Sequence, residues 1–266
     1  MLVLLPVAIL VITGLAVLGM QRAKINIGYI WLTSLAGSVA TLVMLLAINW
    51  DNVSPFTGSF ENLPGSTGYP IVLDLDRFSW PYAFSLVGLL VTVLFTAAIR
   101  FQQQSNPSTW AFTILVTASG LLAVLATTPL AIILTWTAVD LTELTVLVLS
   151  ERDKSLNQRT ILAFIAKIGG SILVLWAIIS TRVSGSILEI TNVNPPHSVF
   201  ILLACSLRLG VIPLHLPFTS EKMTRRGLGT VLRLVPPAAS LVILGRLPAN
   251  VVPPSYAVPV LLFCII

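Results

Sequence analysis

The chain has 266 residues, 56% of them hydrophobic and only 9% charged, with a mean hydropathy of +0.97. A soluble domain carries about 25% charged residues, so this composition excludes a soluble globular protein and predicts an integral membrane protein. The net charge of +5 comes from cations in short connections between apolar runs, which excludes a nucleic-acid-binding face.

Cys205 and Cys264 lie far apart in apolar runs and suggest neither a disulfide framework nor a metal site. The sequence contains no GxGxxG, P-loop or CxxC motif. No nucleotide, flavin, iron–sulfur cluster or other cofactor is therefore expected in this chain.

A membrane span needs about 20 apolar residues. Eight candidate spans follow in order: 2–20, 27–49, 80–100, 110–127, 129–150, 160–182, 198–218 and 228–247. The first lacks a basic leader, since Arg22 and Lys24 follow the apolar run, and it reads as an uncleaved span. Between the second and third spans, residues 51–79 form a polar loop rich in Gly, Pro, Asn and Ser, with room for a short hairpin. Lipid offers no partners to the backbone, and the runs are too long for barrel strands, so the spans are helices. The fold class expected is an all-α bundle of about eight transmembrane helices. Its expected organisation is a three-helix region at 1–109, a five-helix repeat at 110–247, and the start of a further segment at 248–266.

Lys and Arg in the connections orient the bundle. Connections after spans one, three, five and seven hold nine of them: Arg22, Lys24, Arg100, Arg152, Lys154, Arg159, Lys222, Arg225 and Arg226. The opposite side holds three, Arg77, Arg182 and Arg246. The N-terminus and the long loop are thus expected outside.

Five charges remain within spans: Asp140, Glu143, Lys167, Arg208 and Arg233. A charge at the bilayer centre costs at least about 2.5–3.5 kcal/mol, so these side chains should line water, face the bundle interior or pair. Asp140 and Glu143 are three apart and share a helix face. They read either as a proton relay or as partners of Arg208 or Arg233 in structural ion pairs. Lys167 can lose its proton when buried, or it can snorkel to the cytoplasmic side. Arginine keeps its proton, so Arg208 and Arg233 can only shape the field or balance the carboxylates. His215 sits between Pro213 and Pro217. Prolines break a helix, and such breaks line ion sites in transporters. His215 can titrate there or cap freed carbonyls. Pro236–Pro237 suggest a second break, in the eighth span.

These residues carry a resemblance. SLRLGVIPLHLPF, residues 206–218, is similar to the discontinuous seventh helix of antiporter-like subunits of respiratory complex I (NADH:quinone oxidoreductase) and of Mrp-type cation/proton antiporters. In that family a Lys stands five residues before the Pro; here Arg208 stands five before Pro213. LGTVLRLVPPAASLVILGRL resembles the family's eighth helix, with Arg233 where the family has Lys or His. IVLDLDRFSWPYAFSLVGLL resembles the acidic run leading into its third helix. TPLAIILTWTAVDLTEL resembles its fifth helix, where the family has Trp followed by Glu. Here Trp136 is followed by Thr137, and Asp140 lies one turn on, roughly 4.5 Å along the axis.

The resemblance covers nearly the whole chain and implies a proton-translocating membrane subunit of a complex I-like assembly. Its partners would be other membrane subunits and the lipid bilayer. The alternatives are a subunit of a multi-chain Na+/H+ antiporter and a non-pumping structural paralogue, the latter favoured by Thr137, Arg208 and Arg233. The family continues into a second, inverted set of five helices. This chain ends before that set, which implies a fragment or a shortened paralogue working with a partner. The expected proton path uses Asp140 or Glu143 and water, with Lys167 or His215 as the next station.

Overall fold

The computed structural model describes residues 2–48, 54–58, 70–98, 107–150, 158–210 and 226–248. Eight α-helices run through them: α1 (Leu5–Arg22), α2 (Ile27–Ala47), α3 (Ser79–Ala98), α4 (Pro107–Leu125), α5 (Pro129–Ser150), α6 (Gln158–Val183), α7 (Pro195–Leu209) and α8 (Arg226–Arg246). Seven of these segments are long and apolar enough to cross a membrane; α7 has only 15 residues. The chain is an all-α integral membrane protein, as its composition predicts.

Apolar residues surround most of these helices, so packing, not amphipathicity, decides which face is inside. The hub is α4, which touches α1, α2, α3, α5 and α8. Its Ala111, Ile114, Leu121, Val124 and Leu125 are buried in the core. The second half of the bundle closes by α5 on α6, α6 on α7 and α7 on α8. Several buried hydroxyls inside these helices satisfy themselves on their own backbone. Ser34, Ser38 and Thr117 each donate to the carbonyl four residues back.

The polar loop does form a hairpin. Strands β1 (Phe56–Gly58) and β2 (Ile71–Leu73) pair antiparallel, with Thr57 opposite Val72. The connection between α4 and α5 lies along β2 as a further strand-like segment. Leu73 bridges Ala126, the Asp74 amide donates to the Leu125 carbonyl at 2.8 Å, and the Thr127 amide donates to Val72 at 3.1 Å.

Helix α7 stops at Gly210, whose φ of 74° and ψ of 18° put it in the left-handed region. Its amide closes the last turn on Leu207 and Ser206. This is the glycine stop expected of a helix C-terminus. Helix α7 therefore ends three residues ahead of Pro213. Pro213, His215 and Pro217 lie outside the described residues.

The eighth span corrects one expectation. Pro236 and Pro237 do not break it, and α8 runs unbroken from Arg226 to Arg246 with both inside. The two prolines sit in a tightly packed stretch, with Val235 and Ala239 on either side fully buried, and Ser240 adds a hydroxyl bond to the Pro236 carbonyl at 3.2 Å.

Candidate functional site

Helix α5 presents Trp136, Asp140 and Glu143 on one face, at spacings of four and three residues. Facing them, α6 contributes Lys167 and α7 contributes Arg208. All four charged groups are buried: Arg208 is 0% exposed, Lys167 3%, Asp140 4% and Glu143 9%.

They form two ion pairs, one above the other. Arg208 meets Asp140 in a fork, Nη1 donating to Oδ2 at 2.7 Å and Nη2 to Oδ1 at 2.8 Å. Lys167 Nζ donates to Glu143 Oε2 at 2.5 Å. The two pairs touch through the backbone, because Arg208 Nη1 also reaches the Lys167 carbonyl at 3.3 Å. Two acids and two bases leave the cluster neutral, as a low-dielectric interior demands.

The guanidinium is held from several sides. Its Cζ lies 4.4 Å from the centre of the Trp136 ring, a cation–π contact. Arg208 occupies the last turn of α7, where the helix dipole favours a cation. Its stem runs past Gly170 on α6. A Cβ at Gly170 would lie 2.9 Å from the Ala204 carbonyl and 3.1 Å from Arg208 Cγ. Glycine is required there to let α7 and the arginine come so close, the usual device of membrane helix crossings.

Three buried polar atoms along this seam have no hydrogen-bond partner among the described residues: Trp136 Nε1, Ser171 Oγ and Arg208 Nε. Ser171 follows Gly170 and stands one turn after Lys167. Buried donors of this kind are ordinarily met by ordered water.

The structure thus brings together Asp140, Glu143, Lys167 and Arg208 from the sequence-derived set. It pairs the acids with Arg208 and Lys167, each carboxylate with its own cation. Arg233 is exposed on α8, unlike the four buried charges. His215 lies outside the described residues. Thr137, where the resembled family has Glu, is half-buried and turns its hydroxyl back to the Leu134 carbonyl at 2.8 Å. The acid facing Arg208 is Asp140.

Two participants escaped sequence reasoning. Trp136 was singled out only as a motif residue, although its i, i+4 spacing to Asp140 signals a shared face. Gly170 carried no signal beyond the Gly169–Gly170 pair in an apolar run.

A second buried arginine sits at the far end of α8. Arg246 Nε donates to Asp76 Oδ2 at 2.9 Å and Nη2 to Asp76 Oδ1 at 3.1 Å, while Nη1 donates to the Ala126 carbonyl at 2.5 Å. Asp76 also caps α3. Its carboxylate accepts from the Ser79 amide at 2.7 Å, and its own amide donates to Ser79 Oγ at 2.8 Å, a reciprocal capping arrangement. Burial works against the Asp76 charge, but the hydrogen bonds and charge of Arg246, with those of Ser79, outweigh it and hold the carboxyl below its ordinary value. Neighbouring Asp74 goes the other way. Burial and the Asp76 charge push its pKa up, against the Leu75 amide and Arg246.

What fold and site define is a membrane-embedded helical bundle with two stacked ion pairs buried between α5, α6 and α7. No protein-family model matches the sequence, and no curated protein matches it. Solved structures do. The chain is similar to a chain of the membrane-bound sulfane sulfur reductase, an archaeal respiratory membrane complex, at 16% identity and a TM-score of 0.69, over 97% of this chain and 42% of that one. It is similar to a chain of respiratory complex I from Thermus thermophilus with bound aureothin, at 14% identity and a TM-score of 0.63, over 94% of this chain and 54% of that one. It is also similar to a chain of the Mrp complex from Dietzia sp. DQ12-45-1b, at 15% identity and a TM-score of 0.70, over 92% and 28%. At such identities the likeness is one of fold. This chain has the fold of membrane chains in complex I-like and Mrp complexes, and it spans between 28% and 54% of their length.

Proposed function

We propose that this chain is a proton-translocating membrane subunit of an NADH:quinone oxidoreductase-like respiratory complex. In this reading it works beside other membrane subunits in the lipid of an energy-transducing membrane, such as a bacterial inner membrane, with its N-terminus outside. The observation that carries the reading is the Glu143–Lys167 pair, buried between α5 and α6 and one turn from a second pair of different chemistry.

The two pairs divide the work. Arg208 keeps its proton under any condition a protein meets, so Arg208–Asp140 acts as a fixed dipole. Lysine gives up its proton readily once buried. At 2.5 Å, one proton moving from Lys167 Nζ to Glu143 Oε2 turns an ion pair into a neutral amine and a neutral acid. A proton arriving at the amine and one leaving the acid complete a transfer. The unpartnered donors at Ser171, Trp136 and Arg208 favour water beside the pair. The fold shared with respiratory and Mrp chains supports the class.

A second reading is a structural paralogue that keeps the fold without pumping, and the Arg208–Asp140 fork is the observation in its favour. A subunit of a multi-chain Na+/H+ antiporter would use the same two pairs without a redox partner. The test is redox-driven proton uptake by the assembled complex in sealed vesicles, comparing wild type with Glu143→Gln. Abolished uptake at normal assembly supports the pumping reading. Unchanged uptake leaves the structural one. Uptake driven by a sodium gradient and not by electron transfer assigns the antiporter.

A further inference from the structure

The acidic run before α3 stands outside the site of the two ion pairs, yet hydrogen bonds tie it to the corner from which α5, the helix of Asp140 and Glu143, starts. Arg246 is almost wholly buried, and its guanidinium joins three elements. Two of its contacts go to Asp76, the cap of α3, and the third goes to Ala126 between α4 and α5. That carbonyl lies just past the end of α4, where helix carbonyls lack partners. The surrounding backbone is stitched to β2. Thr127 donates to Val72 through its amide at 3.1 Å and its hydroxyl at 3.0 Å, and the Val72 amide donates to Thr128 Oγ1 at 3.2 Å. The next hydrogen bond along the chain, Ile132 amide to Thr128 carbonyl at 2.9 Å, opens the first turn of α5.

From Thr128 the helix runs without interruption to Trp136, Asp140 and Glu143. Twelve residues at 1.5 Å each put Asp140 about 18 Å from the corner. A helix is stiff along its axis, so a shift at the corner arrives at Asp140 nearly undiminished. The receiving site tolerates little of it. The fork to Arg208 needs both oxygens in place, at 2.7 and 2.8 Å, with the Trp136 ring behind the guanidinium.

We propose that Asp76 and Arg246 are positioning residues: their ion pair, seated on the Ala126 carbonyl, sets the axial seat of α5 and so registers Trp136 and Asp140 on Arg208. The inference rests on the geometry of the two pairs between α5, α6 and α7 and not on which ion they move. Asp74 is the natural control. It lies two residues away and bonds the same corner through its amide, but no hydrogen bond joins its side chain to Arg246.

The test uses the full chain in its native complex, with Cys205 and Cys264 replaced and spin labels at Leu141 on α5 and Leu203 on α7. Both positions are exposed among the described residues. Double electron–electron resonance then reads the α5–α7 distance. Asp76→Asn is expected to shift its mean by about one residue rise, ~1.5 Å, and to broaden it. Arg246→Lys keeps the charge but loses the fork; it should show a smaller shift and serves if the first variant fails to accumulate. Asp74→Asn should leave the distance unchanged. A pair that only added stability would lower the melting temperature and leave the distance alone in both variants, and that result overturns the proposal. Because the readout is a distance, it stands whether or not the chain pumps protons.

Discussion

The bundle contains the same chemical unit twice, an almost wholly buried arginine forked onto an aspartate: Arg208–Asp140 between α5 and α7, and Arg246–Asp76 at the corner, where the aspartate is partly exposed. Their surroundings differ. At the corner the guanidinium also holds a backbone carbonyl and the aspartate also caps a helix, so the unit is committed to structure. Between α5 and α7, Arg208 Nε has no hydrogen-bond partner among the described residues, and a lysine–glutamate pair lies one turn away. An ion pair alone therefore says little about function. What distinguishes the two is whether an exchangeable neighbour and unpartnered donors lie beside it.

The sharpest way to break the contrast is to remove one carboxylate at a time. Asp140→Asn strands a cation that cannot neutralise itself. Breaking a buried pair in this way costs about 3–5 kcal/mol, so the variant should accumulate poorly in membranes and melt far below wild type. Glu143→Gln strands Lys167, which can shed its proton. Its melting temperature should fall much less, although transport stops. Equal losses in the two variants would dissolve the distinction between a fixed and an exchangeable pair.

Gly170→Ala probes the seat of Arg208. The added methyl meets the Ala204 carbonyl at 2.9 Å, and overpacking of this kind costs about 1–3 kcal/mol. Thermal unfolding in detergent should show the loss, with a weakened α6–α7 contact.

The corner has a pH signature. Asp76 titrates below its ordinary value of 3.8 when folded. Its contribution is complete above that value and disappears as pH falls through the lower, folded one. Melting temperature should therefore drop in that acid window for wild type and show a flatter profile in Asp76→Asn. The smallest effect belongs to Asp74, whose pKa is raised. Its charge opposes folding above the folded pKa, and that opposition fades as pH falls. Asp74→Asn should slightly raise the melting temperature at neutral pH.

Much of this was legible in the sequence. Apolar run length located the helices, the polar composition of 51–79 announced the hairpin loop, and the scarcity of charges picked out Asp140, Glu143, Lys167 and Arg208. Pairing was not legible. Spacing puts Asp140 and Glu143 on one face, but which cation each meets depends on how far α6 and α7 approach, and Gly170 sets that through a missing side chain. Arg233 has the same composition signal as Arg208 yet lies on the exposed side of α8, because an apolar helix carries no periodicity to say which side is inside. Pro236–Pro237 suggested a break for a similar reason; local propensity yields there to a tightly packed neighbourhood. Arg246 read as a loop cation in the orientation count, although its side chain is buried. Its partner Asp76 is 170 residues away, a distance no local pattern bridges.

The most direct measurement is proton translocation by the assembled complex in sealed vesicles carrying Lys167→Arg. The substitution keeps the positive charge against Glu143 but installs a group that does not release its proton. Near-complete loss of translocation, with assembly and thermal stability retained, is the result predicted if Lys167 and Glu143 exchange a proton. Wild-type translocation in this variant would contradict that role and leave both pairs as architecture.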